Sequence, residues 1–530
     1  MNVNKIIIVG GGSAGWMSAA TLVKYFPEKD ITVIESPNIP TIGVGESTLG
    51  AIRNWIRALE INEDDFMKFT NASYKMGIRF KNFYYLGDGG YFHPFGRPFT
   101  HTFHSEGFNE SDVLKLWHIK KSKDKDLPPQ DYCKTFWPTI PLMEKGKFSD
   151  NSSGEFDNYH PKTTLAYHFD AVKFAIWLRD SYSKPKGVKH VQAEVVEVIK
   201  NSDGIEYLVL DSGEKVYSDL FVDCTGFKSL LLGEALNETF ISYHDLLPNN
   251  KAWAVQIPYT DKEKELEPLT ECTALSNGWV WNVPLWSRIG TGYVYSDKYI
   301  TKEEALEEFK AYLNSDKMKV YNPNRVTDNL QFRHIETKIG RYERMFVKNV
   351  VAIGLSSGFI EPLESNGLLS VHRFLFFLIT ALQRGSVSQL DKNIYNVSCN
   401  TMFDNFAEFV ALHYLLTKRD DTQYWRDWKN KDIEIDNSKL DSMFYEAAAI
   451  KIFDEKQRPG SLLHCIAAGM EFYNYTAQWT IPDPLGPTKY ELKLDNFKEN
   501  TEYLKKKWEE AAKNSETLYE YLKRKYNETE

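Results

Sequence analysis

Lys5-Ile-Ile-Ile-Val9 is a short β-branched run without a helical period, and it ends in Gly10-x-Gly12-x-x-Gly15, where a helix-forming stretch from Ser13 to Val23 begins. Asp30 to Glu35 then reads as a second buried strand, so the chain opens with a βαβ unit whose strands must be parallel and whose crossover is right-handed. Glu35 stands twenty residues beyond Gly15, the place for an acid that accepts from a ribose hydroxyl. The glycines permit a tight turn and bring a pyrophosphate close to the helix N-terminus. An α/β fold with a dinucleotide site of Rossmann type is therefore expected.

At 530 residues the chain exceeds what a single hydrophobic core usually organises. Residues 1–384 are expected to form a cofactor-binding box with inserted, discontinuous pocket-forming segments, and residues 385–530 a mainly helical C-terminal subdomain. In that second part strand signals nearly vanish, and Leu504, Trp508 and Ala512 share one helical face. The formal charge is −9 with dispersed basic residues, which argues against a nucleic-acid partner. The apolar run from Phe374 to Leu382 is about half of what crosses a bilayer, so no membrane partner is expected. Cys133, Cys224, Cys272, Cys399 and Cys465 are isolated, without metal-ligand spacing, and fit a reducing compartment. No metal site and a cytoplasmic location are expected.

Between residues 50 and 160 aromatic and Gly/Pro-rich pieces such as Tyr91 to Phe99 read as long functional loops. The run Val191–Ile199 and Ile205–Leu210, around the turn Asn201 to Gly204, reads as an antiparallel hairpin. Leu220 to Asp223 and Lys348 to Ile353 are further short buried strands, and Leu368 to Leu382 reads as a helix. The segment Asp219-Leu-Phe-Val-Asp-Cys-Thr-Gly226 resembles the late acidic-glycine motif of FAD-dependent monooxygenase-like folds. The turn at Gly354-Leu355 resembles their further flavin contact. Three segments around one extended cofactor favour FAD, with Asp223, Gly226, Gly354 and Leu355 as contacts beside Gly10, Gly12, Gly15 and Glu35.

As far as about Trp428 the chain resembles the flavin-dependent tryptophan-halogenase family. The resemblance is carried by Gly10 to Met17, Ile39 to Thr48, Ser73 to Phe80, Ala166 to Asp170, Gly278 to Pro284 with its Trp-x-Trp-x-x-Pro element, and Ser357 to Ser365. It implies that Ser13, Ala14, Gly45, Glu46 and Ser47 also belong to the flavin side. It further implies an FADH2- and O2-dependent enzyme that converts halide to hypohalous acid and relays it to an aromatic carbon through Lys75. Glu364 would stabilise the cationic ring intermediate and help to remove its proton. Free hypohalous acid attacks indiscriminately, and a positioned amine supplies the orientation that solution lacks. Ser365 is expected on the substrate side, Asn366 and Gly367 at the halide, and Glu361 in a structural role. Trp279 and Trp281, on one face of a strand, would keep the substrate away from the flavin.

Two departures from the family pattern stand out. Its usual Ser-Thr-Gly is Ser365-Asn366-Gly367 here, so bromide or iodide could be preferred over chloride. Beyond Arg419 to Arg426 the aromatic clamp for free tryptophan does not align, which points to another indole or a phenol. Phe444, Tyr445, Trp479 and the segment around His101 are candidates for an aromatic slot. No nicotinamide site is evident, so a separate flavin reductase is the expected partner, and a homo-oligomer is compatible with the sequence. The rival readings are an FAD-dependent aromatic hydroxylase, against which Trp279 and Trp281 argue, and a non-catalytic flavin-binding redox sensor, against which Lys75 with Glu364 argues.

Overall fold

The structure is a computed structural model and describes residues 1–39, 45–99, 110–124, 126–315, 329–431, 465–466, 468–471 and 493–527. Its six-stranded sheet is ordered Phe346–Val347, Val350–Ala352, Leu220–Asp223, Lys5–Val9, Asp30–Glu35, Lys189–Gln192, and all its neighbours are parallel except the first two. The opening βαβ unit is as the sequence predicts, with the helix at Ser13–Tyr25. Register brings Val9 opposite Asp223 and Asp223 opposite Ala352. The loops after three strands distant in sequence therefore leave one edge together, which is where ligands sit in open α/β sheets.

The predicted hairpin is partly redistributed. Val195–Asn201 pairs antiparallel with Gly204–Leu210, whereas Lys189–Gln192 joins the parallel sheet beside Asp30–Glu35. Alternation marks strands but does not say which sheet they join.

A seven-stranded sheet, ordered Arg333–Glu336, Lys251–Ile257, Ile289–Tyr295, Gly278–Pro284, Thr270–Ala274, Gly77–Lys81, Tyr91–Pro94, forms the second layer. A three-stranded sheet, Glu46–Ser47, Ala166–Phe169, Ser73–Lys75, lies next to it in the chain, because Ser73–Lys75 is separated from Gly77–Lys81 only by Met76. The late helices Gln389–Leu415, Gln423–Lys429, Leu494–Asn514 and Leu518–Lys525 pack on the same apolar core, with Leu504, Trp508 and Ala512 all buried. The two-residue strand Glu516–Thr517 pairs with Lys147–Phe148. Tyr526 donates to the Ala72 carbonyl at 2.6 Å, and the ring of Tyr521 lies 4.2 Å from that of Phe148 and 6.0 Å from that of Tyr74. The C-terminus thus backs the strand that carries Lys75. No helix among the described residues is long and apolar enough to cross a membrane.

Candidate active site

The cradle at the strand ends fits an extended dinucleotide. Gly10 has φ +115°, and a Cβ there would lie 2.2 Å from the Cys224 carbonyl oxygen. A Cβ on Gly15 would lie 1.9 Å from the Gly10 carbonyl oxygen. A Cβ on Gly12, by contrast, meets nothing within 4 Å, and Gly12 caps the helix without a side-chain acceptor. The 13-residue helix thus begins with no side-chain cap and with open space beside Gly12, an arrangement suited to phosphate. Ser13 opens this helix, and the next residue, Ala14, packs against the Gly354-Leu355 turn: a Cβ on Gly354, at φ +78°, would come 2.7 Å from that of Ala14. Glu35 lies against Gly11 and is held by His190 Nε2 at 2.8 Å. FAD fits this cradle through Gly12, Ser13, Glu35 and the Gly354 turn.

Asp223 braces the turn at the end of its strand. Its carboxylate accepts from Thr225 N and Oγ1 at 3.1 and 2.7 Å and from Leu231 N and Leu232 N at 2.8 and 2.9 Å. It is fully buried and shapes the turn that carries Gly226, which has φ +70° and open space at its Cβ position.

A second cluster lies where the three-stranded sheet meets the segment from Glu361 to Gly367. Lys75 is fully buried, and its Nζ donates to Ser365 Oγ at 2.7 Å and to Ser47 Oγ at 2.9 Å. It also lies 5.0 Å from the centre of the Phe95 ring. Burial pushes the Lys75 ammonium down to about 7, against the opposing influence of Cys272 and Glu364. Ser365 sits in the left-handed region at φ +57°, which places it between Glu364 and Asn366 at a sharp bend.

Both carboxylate oxygens of Glu364 are taken: Oε2 by His93 Nδ1 at 2.5 Å and Oε1 by His413 Nε2 at 3.0 Å, with Tyr91 bonded to the other nitrogen of His413. Burial alone would raise Glu364, but the charge of His93 and the hydrogen bonds from His413 and His93 outweigh it and hold the group at about 2. His93 Nε2 is buried and has no partner among the described residues, 1% of the residue being exposed. Sequence reading missed His93 and His413; the only signal was the aromatic run from Tyr91 to Phe99.

Glu361 has the structural place expected of it. It accepts from Asn249 N and Nδ2, Trp279 Nε1 and Tyr414 Oη at 3.1, 2.8, 3.2 and 2.6 Å. Trp279 is fully buried and Trp281 half-buried, with ring centres 6.2 Å apart on the strand Gly278–Pro284. Among the described residues, Asn366 caps the helix Gly367–Leu382 without a side-chain bond, its Oδ1 is buried without a partner, and a Cβ on Gly367 would meet nothing within 4 Å. Gly45, at φ +97°, leads into Glu46–Ser47, where burial raises the Glu46 carboxyl to about 7 while Ser47 faces Lys75. Phe444, Tyr445, Trp479 and His101 lie outside the described residues.

The sequence matches the family described as tryptophan halogenase over residues 5–474. The chain belongs to the tryptophan halogenase family. It is 36% identical over 453 residues to tryptophan 6-halogenase SttH of Streptomyces toxytricini, covering 82% of each chain. It is 35% identical over 446 residues to tryptophan 7-halogenase RebH of Lentzea aerocolonigenes, covering 82% of this chain and 80% of the other. The apo structure of VirX1 superposes with a TM-score of 0.87 at 32% identity over 99% of both chains. The crystal structure of SttH does so with 0.82 at 31% identity over 98% and 99%. As a tryptophan-halogenase family member this chain is a flavin-dependent halogenase with the FAD-binding, Rossmann-like α/β fold that its first residues predict.

Proposed function

We propose that this halogenase relays hypohalous acid through Lys75 to the carbon of an indole or phenol other than free tryptophan. Reduced FAD and dioxygen supply the oxidising equivalent that converts halide to hypohalous acid. The observation that carries the relay is a buried lysine clasped by Ser47 and Ser365, with its ammonium form disfavoured down to about pH 7. A neutral amine can orient the acid by hydrogen bonding or accept the halogen from it. In the second case the N–X bond forms as the O–X bond breaks, and the amine proton leaves with the hydroxyl as water. Transfer of X to the ring forms the C–X bond as the N–X bond breaks; the ring loses one proton to a base and the nitrogen takes one up, which restores the amine.

Glu364 supplies the negative charge opposite the cationic ring intermediate, an effect strengthened by its burial. Both its oxygens are occupied and it remains a carboxylate down to about 2, so Glu364 acts on the intermediate through its fixed charge. Trp279 and Trp281 stand between substrate and flavin. A separate flavin reductase delivers FADH2.

The helix N-terminus at Gly367 and the open space beside it support halide binding there. Asn366 makes this a less tailored site for chloride, and larger halides lose less on desolvation. Bromide or iodide turnover should exceed chloride turnover under saturating halide, and Asn366→Thr should raise the share of chloride. Equal chloride and bromide rates in the unaltered enzyme would sink the halide preference.

The relay is tested with a flavin reductase, FAD, three halides and an aromatic panel, read by mass spectrometry. Lys75→Ala should bind FAD and give no halogenated product. Full activity in that variant would refute the relay.

A further inference from the structure

Behind Lys75 a line of hydrogen bonds crosses the three-stranded sheet and ends on a carbonyl. Lys75 Nζ meets Ser47 Oγ at 2.9 Å, Ser47 Oγ meets Thr270 Oγ1 at 2.7 Å, and Thr270 Oγ1 meets His168 Nε2 at 2.8 Å. His168 Nδ1 then meets Ser73 Oγ at 3.3 Å, and Ser73 donates to the Pro284 carbonyl. The strands place these groups by register: Ser47 and Ser73 are both opposite His168, one from each neighbouring strand. Ser73, Lys75 and His168 are fully buried, Thr270 is 2% exposed and Ser47 is half-buried, so beyond Ser47 the line is shielded from bulk water.

The end of the line fixes its polarity. A carbonyl can only accept, so the Ser73 proton points to Pro284 and Ser73 Oγ accepts from His168 Nδ1. Burial, and then the charge of Lys75, hold His168 well below the usual histidine range, so its other nitrogen is a bare acceptor. Thr270 must then donate to Nε2, and Ser47 must donate to Thr270. Ser365 in turn donates to Ser47 at 3.1 Å. Each hydroxyl that touches Nζ has its proton directed elsewhere, and both offer Lys75 only lone pairs.

We infer that His168 and Thr270 are positioning residues that polarise this line, so that the two N–H bonds of a neutral Lys75 amine are held by Ser47 and Ser365 and its lone pair stays free for the halogen. The other groups facing Lys75 are Cys272, Glu364 and the Phe95 ring, and none of them supplies this polarity. The inference deepens the lysine relay proposed above and rests on it.

Thr270→Val cuts the line while keeping the side chain's shape. The Ser47 proton then has no acceptor when Lys75 is an ammonium and turns to the lone pair when Lys75 is an amine. Both effects favour the amine, so the titration midpoint of Lys75 should fall by about one pH unit, the shift that one unmade buried hydrogen bond produces. The midpoint is read without any aromatic substrate by 13Cε NMR of labelled lysine in the full chain, with Lys75→Arg identifying the resonance. Halogenation by Thr270→Val should fall about tenfold or more at saturating pH, because the lone pair is capped. Thr270→Ser, which keeps the hydroxyl, should restore both midpoint and rate. A midpoint in Thr270→Val equal to that of the unaltered enzyme would overturn the polarisation. Halogenated product from Lys75→Ala would overturn the relay beneath it, so the two failures are separable.

Discussion

At the scale of single residues the site depends on two groups whose charges are set against their usual states. Lys75 is an amine above about pH 7, and Glu364 remains a carboxylate down to about pH 2. Lowering the lysine means that the reactive amine is present above its midpoint and lost as pH falls through it. Product formation should therefore rise with pH through about 7 with FAD binding unchanged. A flat profile across about one unit either side would show that the amine does not limit the reaction. Glu364→Gln removes the charge but keeps the shape and leaves His93 without a carboxylate partner. Halogenation should drop by about 10² or more with Lys75 still in place. Mass spectrometry of product per FADH2 consumed measures it, and an undiminished yield would remove Glu364 from the chemistry. These partners were hidden in the sequence for a physical reason. His93 and Glu364 are 271 residues apart and Glu364 and His413 are 49 apart, so only folding brings them together. A lone histidine between aromatics carries no local signature of a carboxylate.

At the scale of elements the flavin cradle was legible because its requirements are local. A β-branched strand, glycines at fixed offsets and a helix start all lie within a few residues, and the backbone enforces the rest. Gly354 shows how strictly: its φ of +78° disfavours any side chain, and a Cβ would collide with Ala14 at the start of the first helix. Gly354→Ala should weaken FAD binding and lower the melting temperature together, as followed by flavin fluorescence titration and calorimetry. Loss of stability without loss of flavin affinity would place that turn away from the cofactor. The hairpin was only half legible because Lys189–Gln192 and Val195–Asn201 are separated by Ala193 and Glu194 alone. Continuous alternation across so short a break hides a change of sheet. Asp223 was less legible for the opposite reason: an acid at a strand end looks the same whether or not its carboxylate also caps its own turn, as it does here.

At the scale of the whole molecule the helices after residue 385 and the two sheets share one apolar core. Trp508 is the largest anchor in the last long helix, fully buried, with its indole N–H on Asp157 at 2.9 Å. Trp508→Ala should cost about 3–5 kcal/mol, read as a lower urea midpoint of a single transition. A separate early transition would instead mean that the helical part unfolds on its own. The pairing of Glu516–Thr517 with Lys147–Phe148, and the seat of Tyr521 and Tyr526 behind Ser73–Lys75, have a consequence for how such an enzyme can change. The family match covers residues 5–474, so Glu516, Thr517, Tyr521 and Tyr526 lie beyond it. Substitutions there can shift the seat of the lysine strand without altering a residue that touches halogen, flavin or substrate, which gives drift and laboratory selection a remote means of adjusting reactivity.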